Sequence, residues 1–240
     1  MNKQKVSVIL PTFNERENIV SLIEDIHLEL GDYNHQILVV DDNSPDGTYQ
    51  TVLELNLPYV KAILRQKDPG LANSIRCGLE NAEGEVFVVM DSDYNHQPKY
   101  LPFMVQALSY YDCVSASRFL YGGGMDSWIR HKLSWLFNIF VRIVTRGFIT
   151  DSLYGFFAIK KGVIEKCNYN DIFWGYGDYC IRLMWYLQRN RASILQFPAV
   201  NGKRTKGKGN SKFIRVFWQY FTEVLKLAYK ERIKRHVQRN

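Results

Sequence analysis

The most informative segment of the chain is Val86-Phe87-Val88-Val89-Met90-Asp91-Ser92-Asp93-Tyr94-Asn95-His96-Gln97-Pro98. Its apolar first half predicts a strand buried on both faces, as in sheets that carry helices on each side. Two carboxylates follow at once, and in open α/β sheets ligands bind beyond the carboxyl ends of the strands. Two close carboxylates repel each other, and a divalent cation shared with a phosphorylated ligand would relieve that repulsion. The alternative is a solvated turn, because Asp and Ser are common turn residues.

Strand and helix patterns alternate over roughly the first 115 residues. The predicted strands cover residues 6–11, 36–40, 60–64 and 85–90. The predicted helices begin after residue 15, at Thr48 as an N-cap, and at residue 70. Short connections between such elements predict right-handed crossovers and a mainly parallel α/β sheet flanked by helices.

The first two predicted strands also end in polar residues. Asn14 and Glu15 follow the first strand, and Asp41 and Asp42 follow the second. Because the carboxyl ends of parallel strands meet at one edge of a sheet, we expect these side chains to lie near the Asp91 turn. Three such strand ends predict one site rather than three unrelated turns.

Composition restricts the class of protein. With 240 residues, 46% hydrophobic and 23% charged, the chain has the composition of a globular protein with a substantial core. The four scattered cysteines indicate reduced thiols in a cytosolic protein, with no disulfide framework or zinc site. We also expect neither a signal peptide nor a transmembrane helix, since the N-terminus is polar and no apolar run reaches about 18 residues.

The formal net charge of +7 comes from the C-terminal end of the chain. Residues 201–240 contain 12 of the 31 Lys and Arg residues but two of the 24 acids. Such a tail is compatible with nucleic acid, an anionic membrane surface or a solvated end. A nucleic-acid-binding tail would interleave aromatic and basic residues on one exposed face, whereas the aromatic residues here follow an apolar stripe. We therefore expect no nucleic-acid partner.

The motifs together resemble a known family. In chain order they are Pro11-Thr12-Phe13-Asn14-Glu15, Val40-Asp41-Asp42-Asn43-Ser44, Asp91-Ser92-Asp93, Arg118 with Gly122-Gly123-Gly124, Arg130 with Ser134, Asp151 with Gly155-Phe156, and Arg204 with Gly209-Asn210-Ser211-Lys212. They resemble the family 2 glycosyltransferases of GT-A fold, and are most similar to the polyprenyl-phosphate sugar synthases of the dolichol-phosphate mannosyltransferase type.

That resemblance implies a domain organisation. A Rossmann-like GT-A catalytic domain would cover residues 1–212. Its nucleotide-sugar half would be residues 1–115, and its acceptor half with a basic loop would be residues 116–212. An amphipathic helix and a basic tail would follow over residues 213–240.

The resemblance also implies roles for individual residues. The nucleotide-sugar would contact Pro11, Thr12, Asn14, Glu15, Asp42, Asp91, Ser92, Asp93, Arg204 and Lys212, with Asp42 on the base or ribose. Mg²⁺ or Mn²⁺ would be held on the donor diphosphate by Asp91, Asp93 and Asn95, and the acceptor phosphate by Arg118, Arg130 and Ser134. A hard cation and a guanidinium, here Arg204, suit this chemistry because negative charge develops on the leaving diphosphate. Arginine also offers phosphate two parallel hydrogen bonds.

Two segments depart from the family pattern. Relatives commonly read Asp-Ala-Asp-Leu-Gln-His-Pro-Pro, so Asn95 stands where a Gln helps to hold the metal, and its side chain is one methylene shorter. The segment Asp151-Ser152-Leu153-Tyr154-Gly155 lacks the usual Pro and Ser pattern. His96, in the same turn as Asn95, is expected to make a structural hydrogen bond.

Two segments of the second half predict amphipathic helices. The first begins at Ser127, an N-cap candidate. Polar residues recur in it every four positions and form a stripe on an otherwise apolar surface: Arg130, Ser134, Asn138 and Arg142. Either its apolar side meets lipid, or the helix is buried with the stripe on a polar pocket. The second covers residues 213–229 and precedes a basic end, the alternative being a helix packed on the domain with a solvated tail. Both are compatible with peripheral binding to the inner face of a membrane, with or without a membrane-protein partner.

The acceptor decides which further residue the reaction needs. An inverting transferase acting on a hydroxyl needs a carboxylate base, and Asp178, at the start of a predicted helix, is the candidate. The alternative for Asp178 is a helix N-cap. A phosphate acceptor is already an anion and needs no base. The expected activity is transfer of a hexose, mannose from GDP-mannose first and a UDP-sugar second, to a polyprenyl phosphate, the alternative being a glycan hydroxyl with Asp178 as base.

Overall fold

A mixed β-sheet with helices on both faces forms the centre of the protein. The computed structural model describes residues 4–202 and 213–237. The strands are β1 (Val6–Thr12), β2 (His35–Asp41), β3 (Val60–Leu64), β4 (Val86–Val89), β5 (Cys113–Ser117), β6 (Phe157–Lys160) and β7 (Ile194–Pro198). The helices are α1 (Arg16–Glu29), α2 (Thr48–Glu54), α3 (Leu71–Asn81), α4 (Leu101–Ala107), α5 (Trp128–Thr145), α6 (Lys161–Ile164), α7 (Tyr169–Ile172), α8 (Tyr179–Arg189) and α9 (Phe213–Val237), with a 3₁₀ turn over Pro98–Tyr100.

The strand order is β3-β2-β1-β4-β6-β5-β7. The pairs β1–β2, β1–β4, β2–β3 and β5–β7 are parallel, which confirms the predicted mainly parallel sheet. Strand β6 is antiparallel to both β4 and β5. The sheet therefore continues from the predicted nucleotide-sugar half into the predicted acceptor half.

The side chains of β1 point alternately to the two faces of the sheet, and each face is covered by helices. Val6, Val8 and Leu10 belong to one buried cluster, which includes apolar residues of α1. Ile9 points to the opposite face and belongs to the cluster that includes apolar residues of α3 and α8. Successive side chains of a strand point to opposite faces, so a strand with apolar residues at every position is buried on both.

A third buried cluster joins α5, α8 and α9. It consists of Phe137, Val141, Ile181, Trp185, Val224 and Leu227. Phe140 of α5 also stacks on Phe221 of α9 with ring centroids 5.1 Å apart. The predicted C-terminal helix is confirmed and extends to Val237. Within the described residues, no helix has the length and apolar character needed to cross a membrane.

The helix starts test two predicted caps. Ser127 caps α5 as expected, since its side chain accepts a hydrogen bond from the Arg130 backbone N–H. Thr48 does not cap α2: it is the first helical residue, and Gly47 precedes it at φ +85°. The Thr48 hydroxyl instead accepts from the backbone N–H of Glu15 at 3.0 Å.

Candidate active site

Three strand ends meet at one edge of the sheet, as the sequence predicts. Thr12 is paired in parallel register with Asp41. The Asp91 turn follows β4, on the other side of β1, where the Ser92 hydroxyl donates to the Pro11 carbonyl at 2.9 Å. We call this region, formed by residues 11–15, 41–44 and 91–96, the donor edge.

Hydrogen bonds hold the first and second strand ends together. The buried Thr12 hydroxyl donates to the Asp41 carboxylate at 3.1 Å. Asp41 also accepts from the Ser44 hydroxyl at 2.6 Å, and that hydroxyl accepts from the Asn14 backbone N–H at 2.9 Å. Asn14 itself is exposed and has a left-handed backbone at φ +61°. The network thus fixes the backbone of Asn14, an exposed residue, at the site.

Glu15 is a buried residue of this edge. Its side chain is buried and accepts a hydrogen bond from the Asn18 amide at 2.7 Å. Asp42 is also anchored: it accepts from Arg65, from the Ser74 hydroxyl at 2.7 Å and from the Gly70 backbone N–H at 2.6 Å. Asp42 therefore connects the second strand end to the start of α3.

The turn after β4 is held by His96. Nδ1 of His96 accepts from the Asp91 backbone N–H at 2.8 Å, and Nε2 lies 3.0 Å from the Tyr154 carbonyl oxygen, to which it donates. The predicted structural hydrogen bond is confirmed. Burial lowers the pKa of His96 to about 4, so the ring is neutral at pH 7. The neutral ring orients the turn without adding positive charge beside the carboxylates.

The two carboxylates of the turn differ in surroundings. The Asp91 side chain is 41% exposed. Asp93 is partly buried and accepts from the Asn95 backbone N–H at 3.1 Å and from the Asn95 amide at 2.7 Å. Among the described residues, no cluster of three His, Cys, Asp or Glu side chains is placed to hold a metal ion. Two carboxylates fit Mg²⁺ or Mn²⁺ that takes its other ligands from water and substrate phosphates.

Arg118 forms a buried ion pair with Asp151. Its Nε and Nη2 lie 2.7 and 2.9 Å from the two carboxylate oxygens of Asp151, which is fully buried. Burial alone would lower the pKa of Arg118, but the charge and hydrogen bonds of Asp151 raise it above its ordinary value. The guanidinium also lies over the Tyr154 ring, 4.8 Å from its centroid. The structure thus places Arg118, the residue predicted to bind the acceptor phosphate, beside a carboxylate of the protein itself.

The predicted polar stripe of α5 does not share one environment. Arg130 and Arg142 are exposed, and Ser134 is partly buried. Asn138 is buried, donates to the Ser134 carbonyl at 2.9 Å and accepts from the Ser152 backbone N–H at 2.8 Å. With 3.6 residues per turn, each step of four residues rotates the side chain by about 40°, so the stripe winds around the helix. The stripe therefore does not face one environment, since Asn138 is buried between the exposed Arg130 and Arg142.

Comparison with known proteins identifies the family. Residues 7–167 match the family described as Glycosyl transferase family 2. The chain belongs to this family.

Curated relatives make the resemblance more specific. The chain is 35% identical to a dolichol-phosphate mannosyltransferase of Pyrococcus furiosus, over 93% of this chain and 63% of the relative. It is 28% identical to the Saccharomyces cerevisiae dolichol-phosphate mannosyltransferase, over 92% and 86% of the two chains. It is 31% identical to the polyprenol monophosphomannose synthase of Mycolicibacterium smegmatis, over 85% and 80%. The chain thus spans less than two thirds of the archaeal relative and most of the other two.

Solved structures share the fold. Glucosyl-3-phosphoglycerate synthase of Mycobacterium tuberculosis, in complex with Mn²⁺ and UDP-glucose, superposes with a TM-score of 0.74 at 18% identity, covering 94% of this chain and 79% of that one. The same enzyme with Mn²⁺, UDP and phosphoglyceric acid gives a TM-score of 0.73. The GT-A fold predicted from the strand-end motifs is confirmed.

In this glycosyltransferase Asp178 is fully buried beside a cation. Its carboxylate lies 2.6 Å from Nη1 of Arg182 and accepts from the Tyr176 backbone N–H at 2.9 Å. Arg182 also donates to the Ile172 carbonyl at 2.8 Å and lies 3.5 Å from Glu223 of α9. Asp178 stands at the N-cap position of α8, as the alternative predicted, but its side chain makes no capping hydrogen bond.

Arg204 and Lys212 lie outside the described residues. The residues just before them contact the donor edge: the Gly202 backbone N–H donates to the Asn95 carbonyl at 2.8 Å, and the Asn201 amide donates to the Asn95 side-chain oxygen at 3.0 Å. Sequence reasoning missed Asn201, Arg65 and Ser74. Of these three, Ser74 alone could have been suspected from the sequence, because it stands near the start of a predicted helix.

Proposed function

We propose that this glycosyltransferase transfers a hexose, mannose first, from a nucleotide-sugar to a polyprenyl phosphate, with inversion and with a divalent cation. The observation that carries the proposal is the donor edge, where three strand ends bring Asp91 and Asp93 beside the Asn14 and Asp42 segments. The relatives named dolichol-phosphate mannosyltransferase support mannose and a lipid phosphate as the substrates.

The donor half of the reaction rests on the two carboxylates. Asp91 and Asp93 would hold Mg²⁺ or Mn²⁺, and the bound cation would stabilise the charge that develops on the leaving diphosphate. The neighbour crystallised with Mn²⁺ and UDP-glucose supports this arrangement. Pro11, Thr12, Asn14, Glu15, Asp42 and Ser92 would line the nucleotide pocket, and Arg204 and Lys212, on sequence grounds, would contact the donor.

The surroundings of Asp178 favour a phosphate acceptor over a hydroxyl. A general base must come within hydrogen-bond reach of the proton that it takes. Asp178 is fully buried and its carboxylate already accepts from Arg182 and from the Tyr176 backbone. A phosphate oxygen attacks as an anion, so the reaction proceeds without such a base. Arg130 and Ser134, on α5, would contact that phosphate, and Arg118 would support the site through Asp151.

The exposed side of α5 and α9 supports contact with a membrane surface. Trp128, Ile129, Leu136 and Ile143 of α5 are 67%, 64%, 55% and 70% exposed, and Trp218 of α9 is 58% exposed. Large exposed apolar surfaces mark interaction sites, and basic residues such as Arg130, Lys132 and Arg142 on the same helix favour anionic lipid. We place the enzyme peripherally on the cytoplasmic face, where it would meet a lipid-linked acceptor.

The test compares acceptors that differ only in the phosphate. The protein is incubated with GDP-mannose and Mn²⁺, and with a short polyprenyl phosphate, the matching polyprenol or a soluble oligosaccharide. We expect a β-linked mannosyl phosphate lipid with the first acceptor alone, detected by mass spectrometry and NMR. Product on the polyprenol or oligosaccharide, with none on the lipid phosphate, would support the glycan-hydroxyl alternative. UDP-glucose in parallel tests the donor base and sugar.

A further inference from the structure

We propose that Asn95 is a positioning residue of the donor site, which ties Asp93 to the Asn201–Gly202 segment and does not itself bind the cation. The inference rests on the proposed role of Asp91 and Asp93 in donor binding. It assigns a function to the residue that departs from the glutamine of the family pattern.

Asn95 holds the carboxylate of Asp93 from two sides. Its backbone N–H donates to one carboxylate oxygen at 3.1 Å, and its side-chain amide donates to the other at 2.7 Å. The amide nitrogen that faces Asp93 cannot act as a metal ligand, because it offers a donor and no lone pair. Asn95 therefore fixes the rotation of Asp93 before any ligand arrives.

The other end of the Asn95 amide also makes a hydrogen bond. Its side-chain oxygen, the atom that a cation would need, accepts from the Asn201 amide at 3.0 Å. Hydrogen bonds of this kind behind a metal-binding carboxylate orient it, and their loss typically weakens metal binding about 10- to 100-fold. A glutamine at this position would place its amide about one methylene further from the backbone than Asn95 does.

Further contacts of the Asn95 backbone join the turn after β4 to the Asn201–Gly202 segment. The Asn95 carbonyl accepts from the Gly202 backbone N–H at 2.8 Å and from the Tyr154 hydroxyl at 3.1 Å. Gly202 lies so close to the turn that a Cβ atom there would be 1.9 Å from the Tyr94 carbonyl oxygen. The approach requires glycine, since any other residue must move the segment away from the turn.

Two pairs of variants test the assignment. Asn201→Ala removes a partner of Asn95, while Asn81→Ala removes an exposed amide of α3 outside the donor edge as the control. Gly202→Ala inserts the clashing Cβ, while Gly162→Ala, where a Cβ meets nothing within 4 Å, is the control. Binding of Mn²⁺ in the presence of GDP or UDP is measured by calorimetry, alongside Tm and the kcat and KM for the donor.

We expect Asn201→Ala and Gly202→Ala to weaken Mn²⁺ binding about tenfold and to raise the donor KM, with Tm close to that of their controls. Asn95→Gln should weaken binding to a similar degree. A direct ligand role for Asn95 predicts the reverse: Asn95→Gln would bind Mn²⁺ at least as tightly as the wild type, and Asn201→Ala would match Asn81→Ala. That result would overturn the proposal. A wild-type protein that shows no Mn²⁺-dependent binding of either GDP or UDP would instead refute the proposed function on which it rests.

Discussion

The donor edge and the α5–α9 side of this glycosyltransferase are built in opposite ways. At the donor edge, side chains such as Thr12, Asp41 and Asp42 are buried or partly buried and hydrogen-bonded to the protein. On the α5–α9 side, large apolar side chains such as Trp128 and Ile143 face solvent. A diphosphate requires donors and carboxylates held in place, whereas a fluid lipid surface requires apolar area and tolerates imprecise placement.

Two sets of buried ion pairs contact these two regions. Arg118 and Asp151 pair beside Tyr154, whose backbone carbonyl accepts from His96 of the donor edge. Arg182 connects Asp178 of the α8 start to Glu223 of α9. One set thus contacts the donor edge and the other contacts α9.

The largest effect is expected at Arg182. Arg182→Met should lower the free energy of unfolding by about 3–5 kcal/mol, because it leaves the Asp178 carboxylate buried without its cation. Urea denaturation measures the change, and Lys226→Met, at a side chain 68% exposed, should change it by less than about 0.5 kcal/mol. Wild-type stability of Arg182→Met would show that Asp178 does not depend on this pair, and would reopen its role as a base.

The next largest effect is expected at the donor edge. Asp93→Asn should lower kcat/KM for the nucleotide-sugar by about 100-fold, because it removes charge that holds the cation against the diphosphate. Tm should stay close to the wild-type value. The control is Asp126→Asn, an exposed carboxylate just before α5, which should retain activity. Equal turnover of the two variants would disprove the assignment of Asp93.

A smaller effect is expected on the α5–α9 side. Trp128→Ser should weaken binding to vesicles that contain anionic lipid by about tenfold, since burial of an aromatic side chain contributes a few kcal/mol at most. Tyr110→Ser is the matched control, because Tyr110 is 83% exposed but lies outside α5 and α9. Vesicle sedimentation measures both. If the two variants bind alike, the exposed side of α5 does not contact lipid.

The parts of the fold that follow from local pattern were predictable. The apolar runs of β1, β2 and β4 and their polar ends determined both the sheet and the edge where Asp91 and Asp93 lie. These features depend on neighbours in sequence and on the general geometry of parallel sheets. The amphipathic pattern of residues 213–229 likewise predicted α9.

The partners of individual side chains were not predictable, because they depend on contacts between distant segments. Arg118 was expected to bind an acceptor phosphate, and the structure shows that Asp151 accepts hydrogen bonds from its Nε and Nη2. Asp178 and Arg182 stand at the i and i+4 spacing of an ion pair, which the sequence displays. Their complete burial, which argues against a base, is visible in the structure alone.

The central claim is that the donor edge binds a nucleotide-sugar through a divalent cation held by Asp91 and Asp93. The most direct measurement is a thermal-shift panel of GDP-mannose, UDP-glucose and UDP-N-acetylglucosamine with and without Mn²⁺, because stabilisation follows ligand affinity. We predict a rise in Tm with GDP-mannose that requires Mn²⁺ and is lost in Asp93→Asn. No metal-dependent rise with any of the donors would contradict the claim.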